Sequence, residues 1–209
     1  MKSYYNKWFS IIELIVWIFI FVLWLTSIYM LISSTINFND YNKNQIIAAN
    51  LSREWLELIK NLRDSNYKNL HKWNLISPNI QTNFDLASNY ITNGYYKVWL
   101  DYNSLSPDFS VKLDKINNFK EWASFLNSDM KNYELCNDWL GKYTYDCTWT
   151  NKRTRFYRYL KFEPLMYKDT SWTNITIKDS YKVTSKVIWY IRGYHEINLT
   201  TILSDYKKL

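Results

Sequence analysis

Residues 9–32 read FSIIELIVWIFIFVLWLTSIYMLI, and this stretch decides the architecture. It holds twenty-four residues with a single charge, Glu13. As a helix rising about 1.5 Å per residue it spans about 36 Å, enough to cross a hydrocarbon core about 30 Å thick with some tilt. Ahead of it lie eight residues, MKSYYNKW, with Lys2 and Lys7 and no acid. Positive charge before a span favours an N-in orientation, with the rest of the chain outside the cytoplasm. A cleaved secretory signal would carry an apolar region of about 7–15 residues closed by small ones, whereas this run is longer and no A-x-A pattern follows. An uncleaved single-pass anchor remains open on length and flanks. Glu13 bears on that choice. An acid inside an apolar helix costs on the order of 2.5–3.5 kcal/mol on insertion scales, so it either snorkels to the headgroups or meets a partner.

The remaining composition sets outer limits. At 209 residues and 25.5 kDa the chain has room for one domain of ordinary size. With 47% hydrophobic and 22% charged residues, wholesale disorder is excluded, and three prolines exclude a proline-rich rod. The formal charge of +7 suits an anionic partner, but the basic residues are scattered, so nucleic acid is admitted by charge and by no patch. Aromatics reach 19%, which fits either stacking on sugars or bases or cross-strand pairs in a core. One ratio is abnormal: eleven tryptophans stand beside three glycines. The two together approach the roughly fifteen glycines that average usage gives a chain of this length.

Residues 7–16, KWFSIIELIV, resemble the N-terminal cleavage and methylation motif of type IV prepilins and type II secretion pseudopilins. That family has a short basic leader ending in glycine, then Phe, a small hydroxyl residue, two aliphatics, Glu and a long apolar helix. The resemblance implies cleavage between Trp8 and Phe9, N-methylation of Phe9, and Glu13 as the acid that sets subunit register. A cut there exposes an α-ammonium on Phe9 that the Glu13 carboxylate of a neighbour neutralises in lipid. Trp8 stands where the family has glycine. Residues 48–66, AANLSREWLELIKNLRDSN, are similar to the lower stalk of a subgroup of bacterial pilin-like proteins, and Trp55 again occupies a glycine position. On its own periodicity this segment is an amphipathic helix: Ile47, Leu51, Trp55, Leu58 and Leu62 form a stripe, opposite Arg53, Glu57, Lys60 and Asp64. Spacing predicts solvated ion pairs Glu57–Lys60 and Lys60–Asp64.

Trp149 and Trp172 lie in turn-like contexts, Thr148–Asn151 and Ser171–Asn174, that also invite glycine. One reading is that UGA codons meaning glycine were translated as Trp at positions 8, 55, 149 and 172. The other is that all are genuine tryptophans, with Trp17 and Trp24 facing lipid and Trp189 in a strand.

From residue 70 onward short β-prone runs replace helical periodicity. Strands are expected at 95–102, 109–113, 155–162, 175–177, 182–191 and 195–203, with a turn at Gly193; residues 118–129 are open between helix and loop. Residues 183–189 and 199–206 resemble, more loosely, the closing hairpin of the same pilin-like subgroup. The expected fold is α+β: leader 1–8, transmembrane helix 9–34, its continuation 35–69 as a stalk loosened near residues 39–42, and an antiparallel β-rich head 70–209.

Cys136 and Cys147 enclose ten residues, a disulfide candidate outside the cytoplasm, with two free thiols as the alternative. Zinc is disfavoured because only Asp138 and Asp146 lie in that loop. His71 and His195 are the only histidines, neither in an HExxH or triad-like setting, and no P-loop or dinucleotide fingerprint occurs. No enzymatic activity, metal or cofactor is expected. The resemblance implies a structural subunit of a type IV pilus or type II secretion-like filament, inserted in the cytoplasmic membrane and then displayed at the surface. Its implied partners are prepilin peptidase, a platform protein, an assembly ATPase and other pilin subunits. The alternative is a single-pass anchored surface binding module.

Overall fold

In a computed structural model, residues 11–77, 87–102, 109–117, 119, 132–148, 150–168, 170 and 173–206 are described. The first element is one helix of 58 residues, α1 (Ile11–Lys68). The chain divides into two units, Met1–Asn44 and Gln45–Leu209. Within the first, the large apolar side chains of residues 11–32 are exposed. The expected loosening at residues 39–42 is absent. Helical hydrogen bonding continues, and the Asn44 side-chain amide donates to the Asp40 carbonyl at 2.6 Å, keeping a polar segment helical.

In the second unit α1 buries Ala48, Leu51, Ser52, Trp55, Leu56, Leu58, Ile59, Leu62 and Asn66. Steps of three and four residues put these on one face, while Arg53, Glu57, Lys60 and Asp64 are exposed. The expected ion pairs along that outer face do not form among the described residues. Arg63 Nε donates to Asp64 Oδ1 at 2.9 Å instead, and the Tyr206 hydroxyl reaches the same carboxylate oxygen at 3.4 Å. After Lys68 the chain leaves the helix through a left-handed residue, Leu70, with φ 59°. His71 N–H donates to the Asn66 carbonyl at 2.8 Å and Leu70 N–H to that of Tyr67 at 3.1 Å, the paired bonds of a Schellman cap. Buried Asn66 fastens the following loop, its amide donating to the Trp73 and Leu75 carbonyls.

After a short 3₁₀ turn at Ala87–Asn89 the described residues form seven strands in one antiparallel sheet: β1 (Gly94–Tyr102), β2 (Phe109–Ile116), β3 (Glu134–Asn137), β4 (Tyr143–Thr144), β5 (Lys152–Lys168), β6 (Asn174–Tyr190) and β7 (Tyr194–Ser204). β5 is the spine. One edge pairs along its length with β6, which pairs with β7. The other edge is shared. β3 pairs with β5 from Lys152 to Tyr157, and β1 takes over from Leu160 to Phe162. The sheet therefore forks at Arg158 and Tyr159, with the β1–β2 ribbon on one branch and the β3–β4 ribbon on the other.

Period-two alternation sends Phe156, Leu160, Phe162, Val183, Val187, Trp189 and Leu203 inward, and the core clusters join these to the α1 stripe. Tyr133, Tyr159 and Ile188 form a separate aromatic cluster with Tyr95, Phe119 and Tyr157. The expected strands at 175–177 and 182–191 are one continuous strand, β6, and β3 and β4 were not anticipated. The turn between β6 and β7 uses Arg192, at φ 54°, as its left-handed residue; Gly193 does not have positive φ. The segment left open at 118–129 lies, apart from Phe119, outside the described residues, as do Trp8, Phe9, Trp149 and Trp172.

Trp55 is accommodated as a core residue. It is 1% exposed in mid-helix, and its ring packs 5.7 Å from that of Tyr145. No described tryptophan has a positive φ; the non-glycine residues that do are Leu70, Asp179 and Arg192. Glycine at 55 would open a large cavity and weaken the helix. We predict that Trp55→Gly lowers stability by about 4–6 kcal/mol, combining truncation of a buried aromatic with the helical cost of glycine. Leu70→Gly should raise it by about 1 kcal/mol by relieving the left-handed cap. Urea unfolding of the two variants checks both signs, and a Trp55→Gly protein as stable as the parent would show that the core does not depend on that indole.

Candidate functional site

The first candidate region is the apolar part of α1. An 18-residue window there has mean hydropathy 2.5, with none of it buried. Glu13 lies in the first turn of the described helix. Three hydroxyls further along are satisfied within the helix. Thr26 and Ser27 donate to the Leu23 carbonyl at 2.9 and 3.0 Å, and Thr35 donates to that of Leu31 at 2.9 Å. With these groups bonded inside the helix, the segment meets the requirement that lipid imposes on polar atoms. It is one N-terminal helix long and apolar enough to span a membrane.

The second region is the β3–β4 ribbon. Cys136, fully buried in β3, is bonded to Cys147, with Cα atoms 5.3 Å apart. The turn it encloses is built by Asp138, whose Oδ1 accepts from the Leu140 and Lys142 N–H groups at 2.9 and 2.7 Å. Gly141, at φ 78°, supplies the left-handed residue that the tight return needs. The bridge thus locks a short ribbon that has only four ladder residues in β3 and two in β4.

At the fork, Tyr145 takes the place of a strand partner. Its hydroxyl donates to the Arg158 carbonyl at 2.7 Å, between the β3 and β1 pairings. Burial pushes this phenol's pKa well up, outweighing the opposing pull of Arg158, so the proton stays on the donor. The Arg158 side chain, 3% exposed, runs inward. Its Nη1 donates to Glu54 Oε2 at 2.9 Å and to the Leu51 carbonyl at 3.2 Å, and its guanidinium lies 4.0 Å over the Trp55 ring. Lys97 Nζ sits over the Tyr133 and Tyr145 rings at 4.9 and 5.3 Å; partial burial lowers its pKa, with Asp114 opposing.

The structure thus joins Cys136 to Cys147 and places Glu13 at the start of the described helix, while Trp8 and Phe9 lie outside the described residues. His195 stacks on Trp189 at 5.4 Å, a packing role. Arg158, Glu54 and Tyr145 were missed from sequence. Arg158 shares the strand phase of Phe156, Leu160 and Phe162, and a charge at an inward phase is the signal that would have found it.

For the ribbon we predict that replacing both cysteines by alanine costs about 3 kcal/mol, the value expected for a loop of this length. That corresponds to a fall in Tm of about 6–12 °C for a domain of this size. Calorimetry of the double variant beside the oxidised parent checks it; equal melting would show that the ribbon is held by its pairing alone.

Compared with protein-family models, curated proteins and solved structures, the chain has no significant match.

Proposed function

We propose that this chain is a pilin-like structural subunit of a type IV pilus or type II secretion-like filament. The observation that carries the reading is α1 itself. A single helix presents an exposed apolar run headed by one acid and then, in the same helix, a stripe buried under an antiparallel sheet. The first part suits lipid and, after extraction, the same faces of neighbouring subunits. The second part belongs to a folded head.

In this reading the leader 1–8 is removed before Phe9, Phe9 is N-methylated, and its ammonium meets Glu13 of an adjacent subunit. An unpaired carboxylate in a low-dielectric bundle is costly, so pairing fixes the stagger between helices. The chain enters the cytoplasmic membrane N-in and leaves it as part of a surface filament, served by prepilin peptidase, a platform protein and an assembly ATPase. Trp8 is the obstacle. Its indole is too large for a peptidase site shaped for glycine.

The test co-expresses the chain with a prepilin peptidase and the assembly machinery. The Trp8 form should remain a full-length membrane precursor, whereas Trp8→Gly should be shortened by eight residues and yield sheared filaments. Adding Glu13→Ala to the processed form should leave membrane insertion intact and cut filament yield at least tenfold. If Trp8→Gly is not trimmed, or Glu13→Ala assembles as well as its parent, the helix is an anchor and the head a surface binding module.

A further inference from the structure

The fork leaves a cleft between β1 and the disulfide-closed ribbon, with a volume of about 420 Å³. That lies within the range of about 300–1,000 Å³ typical of small-molecule sites. Its walls come from elements already fixed for other reasons: Trp99 of β1, the β3–β4 turn with Trp139, Tyr143 and Tyr145, then Asp146, Thr148, Thr150 and Asn151, and buried Arg158 at the back.

The lining has two kinds of surface. Flat aromatic faces come from Trp99, Trp139 and Tyr143. Trp139 is 83% exposed on the turn that Asp138 and the disulfide hold rigid. An indole left so far in solvent does no work for the core, and leaving it there is unfavourable unless something covers it. Short neutral hydrogen-bonding groups come from Thr148, Thr150 and Asn151, with Asp146 beside them. Asn151 is oriented, its amide donating to the Asp146 carbonyl at 2.8 Å. In the back wall two donors, Arg158 Nε and Trp99 Nε1, find no acceptor among the described residues.

Charge narrows the ligand. The cleft carries Lys142 and Arg158 against Asp138 and Asp146, and Arg158 is already neutralised by Glu54. A phosphate-bearing ligand would need surplus cations, which the cleft does not offer. No group of three or more potential metal-ligating side chains occurs among the described residues, so a cation-centred site does not fit them. An apolar chain would take the exposed polar groups of Asp146, Thr148 and Thr150 out of water. What matches is a ring with an apolar C–H face for an indole and a rim of hydroxyls that both donate and accept. We propose that the fork cleft is a binding site for an uncharged saccharide, stacked on Trp139 and hydrogen-bonded by Thr148, Thr150 and Asn151. The site stands independently of filament assembly, since every residue it uses lies in the Gln45–Leu209 unit.

The test uses the full chain in a detergent without a sugar headgroup, such as an alkyl amine oxide, because a glycosidic detergent would compete. It is applied to an array of neutral, sialylated and sulfated oligosaccharides, and retained glycans are titrated by calorimetry and tryptophan fluorescence. We expect retention of at least one neutral oligosaccharide. Trp139→Ala should weaken it at least tenfold with circular dichroism unchanged, since that side chain is mostly exposed, and Trp139→Tyr should recover part of the loss. Thr150→Val should weaken binding several-fold, and Tyr167→Ala, an exposed aromatic away from the cleft, should have no effect. The proposal is overturned if no neutral glycan is retained, if only sialylated or sulfated glycans are, or if Trp139→Ala binds as the parent does.

Discussion

An arginine on the inward face of a strand must be answered, and the head is arranged around that answer. Arg158 is buried against Trp55, pairs with Glu54 and donates to the Leu51 carbonyl, all on the same turn of α1. Breaking such a pair by removing one partner is more costly than the pair is stabilising, so it specifies one docking of helix on sheet. Its backbone carbonyl marks the point where β5 changes partners, and Tyr145 satisfies that carbonyl. Helix docking, sheet fork and the cleft beside it therefore meet at a single residue.

Two solvents are written into one helix. Up to residue 32 the side chains are mostly apolar and exposed, and Thr26 and Ser27 bond back to the helix. From Ala48 the stripe narrows to one face and is buried by the sheet. A helix that is apolar all round belongs in lipid or among other helices, whereas a striped one belongs on a domain. The filament reading uses both properties at once and assigns Glu13 the task of registering the apolar part.

The stripe Leu51, Trp55, Leu58, Leu62 was legible because its period is local, and so were β1, β2, β5 and β7, whose β-branched and aromatic runs alternate. The division of one edge of β5 between β3 and β1 was not legible. β3 has four residues and β4 two, too short to carry a periodic signal, and pairing across a long loop leaves no local trace. The disulfide, readable as an even pair of cysteines, was the one hint that a ribbon lay there. Trp55 stands at a glycine position of the resembled stalk, and as a tryptophan it is buried in the core and packs on Tyr145. Arg158 was passed over because a lone charge in a strand is commonly solvent-facing, and only its phase relative to Phe156 and Leu160 shows otherwise.

The most direct test of the central claim is the intact mass of the protein recovered from cells that carry this gene, measured without reduction. The account predicts that these cells read position 8 as glycine and yield a chain that begins at a methylated Phe9, lacks the first eight residues and keeps its cysteines oxidised. A mass that retains residues 1–8 would contradict it, leaving α1 as a permanent anchor.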